Sequence, residues 1–345
     1  MTIMNTKRIL SVIAVALITF TAAIAQRISV VTEDGSTSVY RTLQQAIEGA
    51  DPGSTIYLPG GGFTIADSMM ITKKLNIIGI GHKTNSENVD GTTIINGNLY
   101  FSEGSSGSFV MGCYISGNIN IGEGDASVND VTIKYCNLNS VQVKHEGIHD
   151  TYVTQNYIRS ICDFSNSSCT ITNNVIHSIM NVRDGFIYYN IICNSRGGRD
   201  NDYSLCDIHS SQIYYNIIKG RGLSSNYYGF WNPFRGDNCG TKNNLVVGDN
   251  YGKTFGDFPI IIDAQGSACF VDVGNSYSSW SISSNSNYHF TNEYSEYENQ
   301  IGIYAGDGFN EDQLAPVPYI ISKDIPQQTD AAGKLNIKIR VKAGD

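Results

Sequence analysis

The sequence predicts an all-β solenoid, a parallel β-helix in which successive coils of the chain stack on one another. A short pattern recurs along the middle of the chain: an Asn or Cys, any residue, then an aliphatic residue. Copies begin at Cys113, Cys136, Asn156, Asn174, Asn190, Asn216 and Asn244. Each copy follows a stretch of alternating polarity, such as VTIKY or TITN, and alternation has the period of a strand. Strand-built repeats with a period of this order bury their apolar faces only against their neighbours, which defines a solenoid.

The repeated asparagine predicts a hydrogen-bonded ladder. Coils of a β-helix stack at about 4.8 Å, so equivalent residues of successive coils lie above one another. A turn Asn tolerates a left-handed backbone and hydrogen-bonds nearby main chain, and stacked amides also bond to each other. The ladder is predicted for the five copies that carry Asn, with Cys113 and Cys136 in the first two rungs. Residues used in this way are poor catalytic candidates.

Residues 1–25 are predicted to be a signal peptide. Lys7 and Arg8 precede a short apolar run, Ile9–Phe20, and the Ala23-Ile24-Ala25 triplet fits a cleavage site that ends at Ala25. The run is short for a membrane span, and no later stretch is apolar enough to form one. The predicted location of the mature protein is therefore secreted, periplasmic or cell-surface.

Caps are predicted at both ends of the solenoid. Residues 26–54 form the N-terminal cap, in which Arg41–Ala50 places its apolar residues on one helical face. Residues 55–300 form the β-helix and residues 301–345 a C-terminal tail. Within the tail, apolar residues alternate with basic and polar ones over Lys334–Lys342, which predicts one half-buried capping strand with a basic outer face.

Composition limits the function. The formal net charge is −9, which argues against nucleic acid as a partner. An anionic glycan would need a local basic patch or a divalent cation. The chain has eight cysteines without metal-binding spacing, and both buried free thiols and one or two disulfides are compatible with an exported protein. A monomer is expected.

The start of the chain resembles a known group of proteins. The run TLQQAIEGADPGSTIYLPGGGFTI, followed by KKLNIIGIG, is similar to the opening of right-handed parallel β-helix proteins of the pectin-lyase-like superfamily. The resemblance covers roughly residues 36–290. It implies a single-stranded right-handed parallel β-helix with an N-terminal capping helix and a C-terminal capping strand or tail. The final segment, from Pro316 onward, resembles the tail of exported β-helix proteins of Bacteroidota. The superfamily includes lyases, hydrolases, epimerases and adhesins, so the resemblance does not fix an activity.

Two long insertions interrupt the repeat and form the predicted site. They lie at Cys193–Ser211 and Gly220–Gly240, and stacking of the coils should make them neighbours. The predicted substrate-binding residues are Asp202, Arg199, Arg221, Tyr227, Trp231 and Arg235. Arg196, Asp200, Asp207, His209, Tyr228 and Asp237 complete the cluster. Trp231 could stack against a sugar ring or pack its loop onto the coil.

Two enzymatic interpretations of this cluster compete with a structural one. A lyase needs a base to remove the proton next to a uronate carboxylate and a cation to neutralise that carboxylate; in this superfamily the resemblance makes Ca²⁺ a possible cofactor. A hydrolase needs paired carboxylates, and the polygalacturonase elements are absent. The structural alternative is a set of solvated turns with local Arg–Asp pairs. No metal site or catalytic residue is assigned.

Two hypotheses on function follow. The first is an exported protein that binds, and in a further version degrades, a complex polysaccharide or cell-surface glycan. If the protein is an enzyme, a polysaccharide lyase is favoured over a glycoside hydrolase. The alternative is a non-enzymatic adhesion or structural protein of the cell surface, in which the solenoid is a spacer.

Overall fold

The structure is a computed structural model. It describes residues 27–66, 69–83, 91–193, 204–219, 234–247, 260–261, 269–273, 282–283, 285–326 and 328–342. Almost all of its regular elements are short strands, and one short α-helix lies near the start. In the described part of the chain, no helix is both long and apolar enough to cross a membrane.

Between residues 55 and 237, each coil contributes a strand to each of three faces, and neighbouring strands on a face pair in parallel. Face A consists of β3 (Thr55–Leu58), β6 (Asn76–Gly79), β9 (Phe109–Met111), β12 (Thr132–Lys134), β15 (Thr151–Thr154), β17 (Cys169–Thr172), β19 (Phe186–Tyr188), β22 (Gln212–Tyr214) and β25 (Gly240–Lys242). Face B consists of β4 (Gly61–Thr64), β7 (Thr93–Asn96), β10 (Tyr114–Ile115), β13 (Asn137–Leu138), the first parts of β16 (Tyr157–Ser167) and β18 (Val175–Arg183), β20 (Ile191–Ile192), β23 (Ile217–Lys219), β26 (Leu245–Val247) and β27 (Ile260–Ile261). Face C consists of β5 (Met70–Ile71), β8 (Leu99–Phe101), β11 (Ile119–Ile121), β14 (Val141–Val143), the second parts of β16 and β18, β21 (Leu205–His209) and β24 (Phe234–Asp237). The predicted parallel β-helix is confirmed.

Columns of aliphatic side chains fill the interior. On face A the inward column is buried throughout and consists of Ile56, Ile77, Val110, Ile133, Val153, Ile171, Ile187 and Ile213. Because the side chains of a strand alternate between the two surfaces of a sheet, the residues between them point outward. The interior column thus explains the alternating polarity of the sequence.

The asparagine ladder is confirmed between faces A and B. The Nδ2 of Asn156 donates to Oδ1 of Asn174 at 3.0 Å, and the same bond joins Asn174 to Asn190 at 3.0 Å. It continues from Asn190 to Asn216 and from Asn216 to Asn244, each at 2.9 Å. The side chain of each of these residues is fully buried. Two carbonyls of neighbouring strands also accept from each Nδ2 in the rungs from Asn156 to Asn216.

The left-handed residue of each turn is the one before the rung. This position carries Tyr135, Gln155, Asn173, Tyr189, Tyr215 and Asn243, with φ between 51° and 58°. The sequence reasoning gave the left-handed conformation to the ladder residue itself, and this was wrong. The rung side chain must point inward to reach the next coil, so its neighbour makes the turn.

Cysteines occupy the first two rungs, as predicted. The backbone N–H of Cys136 donates to Oδ1 of Asn156 at 2.8 Å, which ends the ladder on a thiol. Its own Sγ lies 3.2 Å from the carbonyl of Lys134. All eight cysteines of the chain are free thiols, and seven of them are buried, so the interpretation as buried unpaired thiols is the one that the structure supports.

The N-terminal cap closes the first coil. Strands β1 (Ile28–Val31) and β2 (Thr37–Tyr40) extend face A in antiparallel fashion beyond β3. Helix α1 (Leu43–Gly49) begins after Thr42, whose side chain accepts from the N–H of Gln45. Its buried residues Leu43, Ala46 and Ile47 join the main core, so the predicted capping helix is confirmed.

The C-terminal part of the chain covers the outer surface of face B. Strands β28 (Phe270–Asp272) and β29 (Asn287–Phe290) pair in antiparallel fashion, and a 3-10 helix follows at Asn292–Tyr297. A second buried cluster joins the outward residues of face B to this part of the chain. Its members are Tyr157, Val175, Ile191, Cys193, Ile217, Leu245, Val247, Cys269, Phe270, Val273, Tyr288, Phe290, Ile301, Ile303 and Phe309. From β16 to β26, face B is therefore covered on both sides.

The final strand differs from the sequence prediction in one respect. Strands β30 (Tyr319–Asp324) and β31 (Lys338–Lys342) form an antiparallel pair. All five residues of β31 are exposed, and the side chains of Ile339 and Val341 are 50% and 58% exposed. The strand was predicted to be half-buried, and this was wrong. Its apolar residues alternate with basic ones, as expected of a strand. Within the described residues, however, only β30 pairs with it, and no other strand covers its apolar side.

Removal of one ladder rung should destabilise the protein strongly. Asn190→Ala leaves the Asn174 and Asn216 amides and two buried carbonyls short of a partner, and each unsatisfied buried group costs about 1–3 kcal/mol. We expect a loss of about 2–4 kcal/mol in the free energy of unfolding, measured by denaturant titration. Asn336→Ala, at an exposed position, is the control. Equal losses in the two variants would contradict a structural role for the ladder.

Candidate functional site

The outer surface of face C carries a row of polar side chains. The register places Asn120 beside Gln142 and Gln142 beside Asp163 on successive coils. Two coils further on, Cys206 lies beside Arg235. Outward residues of stacked strands repeat at about 4.8 Å, and Met180 occupies the row between Asp163 and Cys206. This row, called here the polar strip, is thus polar on both sides of one apolar residue.

Left-handed residues widen the strip in its second half. Asn181 and Asp207, with φ of 56° and 55°, lie between the paired positions of β18 and β21. The next residues along the two strands, Val182 and Ile208, are again buried. Each left-handed residue therefore adds one polar side chain to the surface, and the inward residues that follow it keep their pairing. Asn181 uses its side chain to donate to Oδ1 of Asp163 at 2.9 Å.

Arg235 is held against Asp207 and Cys206. Its Nε donates to Oδ1 of Asp207 at 2.8 Å, and its Nη2 donates to the other carboxylate oxygen and to Sγ of Cys206. The arginine hydrogen bonds hold the pKa of Asp207 below its usual range. Burial raises the pKa of Cys206 to about 11, so the thiol stays neutral. This group orients a guanidinium whose side chain is 40% exposed.

A histidine–aspartate pair lies at the next outward position of the same two strands. Nδ1 of His209 lies 2.7 Å from Oδ1 of Asp237, and the two side chains are 25% and 77% exposed. An acceptor at Nδ1 fixes the neutral tautomer that carries its proton there. Among the described residues, none hydrogen-bonds to Nε2, so this nitrogen is left as a proton acceptor.

Arg183 lies beside His209 on the neighbouring coil. The two residues are paired in register, which places their Cα atoms about 4.8 Å apart. Arg183 is exposed, and its neighbour Asp184 is left-handed and ends the strand. Arg183, His209 and Asp237 thus form a second outward row, next to the row that ends at Arg235.

The structure describes one of the six predicted binding residues. Arg235 lies on β24, at the end of the polar strip. Asp202, Arg199, Arg221, Tyr227 and Trp231 lie outside the described residues, and so do Arg196, Asp200 and Tyr228 of the same cluster. For Arg235 the pairing with Asp207 agrees with the structural alternative of local Arg–Asp pairs. That pairing also orients the arginine on the surface.

Sequence reasoning brought Asp207, His209 and Asp237 together but did not single out the other residues of the two rows on face C, which are Asn120, Gln142, Asp163, Asn181 and Arg183. Arg183, Asn181 and Asp163 lie in the coils before the insertions. The signal that could have found them is the repeat itself. An alignment of the segments that precede each ladder residue puts Arg183 opposite His209, because the two lie at the same distance before Asn190 and Asn216.

Metal ligands do not gather in the described part of the chain. Within those ranges, no group of three or more His, Cys, Asp or Glu side chains could hold a metal ion. His145 and His149, which have the spacing of a helical ligand pair, contact separate partners: Nε2 of His145 lies 2.7 Å from the carbonyl of Ala126, and Nδ1 of His149 lies 2.7 Å from Asp150.

The fold is a parallel β-helix whose face C carries the polar strip on its outer surface. Residues 30–231 match the family model described as rhamnogalacturonase A/epimerase, pectate lyase-like. The chain belongs to this family. Searches of curated proteins and of solved structures gave no significant match. The family match includes Arg183 and His209 and ends before Arg235 and Asp237.

The Asp207–Arg235 pair should contribute stability that depends on pH. Because the folded pKa of Asp207 is lowered, the contribution is present above the unfolded pKa of about 3.9 and is lost as the pH falls toward the folded value. We expect Asp207→Asn to lower the melting temperature at neutral pH, and the difference from the wild type to shrink below about pH 4. Asp51→Asn, at an exposed loop position, should show no such convergence. A constant difference across the series would contradict the pairing.

Proposed function

We propose that the protein binds a uronate-containing polysaccharide along face C and removes a proton next to the uronate carboxylate. One observation carries the proposal: the His209–Asp237 pair leaves Nε2 as a base, and an exposed arginine lies beside it in register. Family membership supports a polysaccharide as the substrate. A proton next to a carboxylate is acidic enough to remove only when the carboxylate charge is neutralised.

The polar strip supports the binding of an extended chain. Its hydrogen-bonding side chains recur on three successive coils at Asn120, Gln142 and Asp163, and a linear polymer presents groups at regular intervals in the same way. Arg235 and Arg183 supply cations on this face, although the chain as a whole is acidic with a net charge of −9. An arginine pairs with a carboxylate through two parallel hydrogen bonds, so uronates should be preferred over neutral sugars.

The proposed reaction begins at C5 of a uronate. Nε2 of His209 takes the C5 proton while the guanidinium of Arg183 pairs with the substrate carboxylate. Asp237 keeps the ring in the productive tautomer and stabilises the imidazolium that forms. In elimination, the electron pair of the C5–H bond forms a C4–C5 double bond, the C4–O4 bond breaks, and O4 takes up a proton. In epimerisation, a proton returns to C5 on the opposite side.

Hydrolysis fits the described residues of face C less well. It requires one carboxyl group that can donate a proton and a second that acts as base or nucleophile. Asp207 is held ionised by Arg235, and Asp163 accepts from Asn181 and from the N–H of Ser165. These carboxylates are engaged as acceptors. The geometry therefore supports the lyase preference of the sequence reasoning over a hydrolase.

The activity test separates binding from chemistry. Polygalacturonate, alginate and a neutral glucan are each mixed with the protein. Affinity, ultraviolet absorbance of the unsaturated product and deuterium uptake at C5 in heavy water are measured. We expect binding to at least one uronate polymer, with either absorbance or deuterium uptake. His209→Ala should reduce turnover by about 10²–10⁴-fold, the usual contribution of general base catalysis, with little change in affinity.

Matched variants assign the roles. Arg183→Ala should weaken both binding and turnover, and Asp237→Asn should lower turnover with affinity retained. His149→Ala removes an exposed histidine that also lies 2.7 Å from an aspartate, and it should leave both unchanged. Binding without absorbance or deuterium uptake would refute the catalytic step and favour a binding protein. Absence of binding to every uronate polymer would refute the whole proposal.

We also propose that the protein is exported and that residues 1–25 are removed. The support is the sequence of this segment, which has a basic start, an apolar run and an Ala-Ile-Ala cleavage site. Expression in a bacterium with a secretion pathway should give a mature protein that begins at Gln26, determined by intact mass. A full-length chain in the cell extract alone would contradict export.

A further inference from the structure

The outer surface of face B is covered by a segment of chain that returns along the solenoid. This segment, residues 287–315, is called here the C-terminal latch. It runs in the direction opposite to the progress of the coils, so that its later residues contact earlier coils. The N–H of Gly302 donates to the carbonyl of Tyr215 at 2.8 Å, and the Nδ2 of Asn173 donates to the carbonyls of Ile303 and Ala305. It ends at the second coil, where Leu314 forms a bridge to Gly81.

One histidine inside the latch needs both of its protons. Nδ1 of His289 lies 2.9 Å from Oε1 of Glu298, and Nε2 lies 2.9 Å from Oε1 of Glu311. Both carboxylates are held by other donors as well: the N–H of Phe290 on Glu298 and the hydroxyl of Tyr304 on Glu311. A neutral imidazole has one N–H. Only the imidazolium can therefore donate to both glutamates. Its two hydrogen bonds join β29 to the parts of the latch around Glu298 and Glu311.

A second histidine, at the latch–coil contact, must stay neutral. Nε2 of His82 lies 3.0 Å from Oε1 of Gln313, and its ring packs edge-on against Tyr157. His82 is 7% exposed, and among the described residues its buried Nδ1 has no hydrogen-bond partner. A proton on Nδ1 would be a buried charge without compensation.

The other charged and titratable groups near these two histidines lie on the elements packed around them. They are Asp272 on β28, Glu293 and Glu296 in the 3-10 helix, Asp307 and Asp312 in the latch, Lys83 beside His82, and Tyr157 on β16. Lys83 is the cation of this set, and its Nζ donates to the backbone carbonyl of Glu311 at 3.0 Å. The side chain of Glu311 is therefore left for His289 and Tyr304.

We propose that the C-terminal latch is a pH-sensitive closure of face B, docked most tightly where His289 is protonated and His82 is neutral. Loss of the His289 proton leaves one glutamate facing a ring lone pair, so the latch loosens as the pH rises. Gain of a proton by His82 requires that it leave its buried site, so the latch also loosens as the pH falls.

The directions of the two pKa shifts agree with this geometry. Burial disfavours the charged form of His289, but the hydrogen bonds and charges of Glu298 and Glu311 outweigh it and raise the pKa. Its contribution is therefore complete below the unfolded pKa of about 6.5 and is lost above it. Burial lowers the pKa of His82 to about 4. Its contribution is complete above about 6.5 and is lost as the pH falls through the folded value. The closure should be tightest near a pH of about 6.5.

Amide hydrogen exchange of the full chain tests the proposal. Opening constants of the latch and of the ladder coils are measured from about pH 4 to about pH 9, with correction for intrinsic exchange. The opening constant of the latch should pass through a minimum near a pH of about 6.5 and rise by up to roughly tenfold per pH unit on each side, the limit for one proton. The ladder coils should not follow this profile.

Two variants should each remove the rise of the opening constant on one side of its minimum, and each such rise is called here a limb of the pH profile. His289→Asn should abolish the rise on the alkaline side, and His82→Gln should abolish the rise on the acidic side. His149→Ala should retain both. A pH-independent opening constant in the wild type, or the same two limbs in both variants, would overturn the proposal. Should either variant fail to fold, the ¹⁵N chemical shifts of the two histidine rings in the wild type decide it. A neutral His289 or a charged His82 at a pH of about 6 would overturn the proposal.

Discussion

Stacking of identical turns is the constraint on which the rest of the structure depends. Each coil can bury its aliphatic residues only if the next coil repeats its register, and the asparagine ladder enforces that register at the turn between faces A and B. A rung at Asn190 bonds to rungs before and after it and to two strand carbonyls. These groups are buried, so a shift of one residue would leave several of them unsatisfied at about 1–3 kcal/mol each. The ladder thus turns a repeated sequence pattern into a fixed geometry.

The same register creates the candidate site. A parallel β-helix brings residues that are far apart in sequence into adjacent outward positions, and face C uses this to place Arg183 beside His209 and Cys206 beside Arg235. None of these pairs is close along the chain. The left-handed residues Asn181 and Asp207 add side chains to the surface without disturbing the core. The site is therefore built on strands, which hold side chains more rigidly than loops do.

Faces B and C have different surroundings because their outward residues differ. Face B presents Val175, Ile191 and Ile217, which are apolar and are covered by the C-terminal latch. Face C presents polar and charged residues and is the proposed substrate surface. The latch carries its own ionisable contacts, at His289 and at His82, on the side away from the proposed active site. A change in pH can therefore act on closure of face B separately from the chemistry of face C.

The sequence by itself determined the solenoid, the ladder positions and the capping helix, because each depends on a local period or a short motif. The Asn-x-aliphatic pattern marks the turn between faces A and B from Asn156 to Asn244, and alternation marks the strands of face A. Tertiary structure decided the rest. Coils differ in length, since Asn190 follows Asn174 much sooner than Asn244 follows Asn216, so counting forward from the ladder residues does not show that Arg183 and His209 lie side by side. It also does not show that the final apolar alternation remains exposed, since burial of β31 requires a partner that no local pattern specifies. The sequence likewise does not show that residues 287–315 return over face B. Contacts such as that of Gln313 with His82 join residues 231 positions apart, and only the folded chain brings them together.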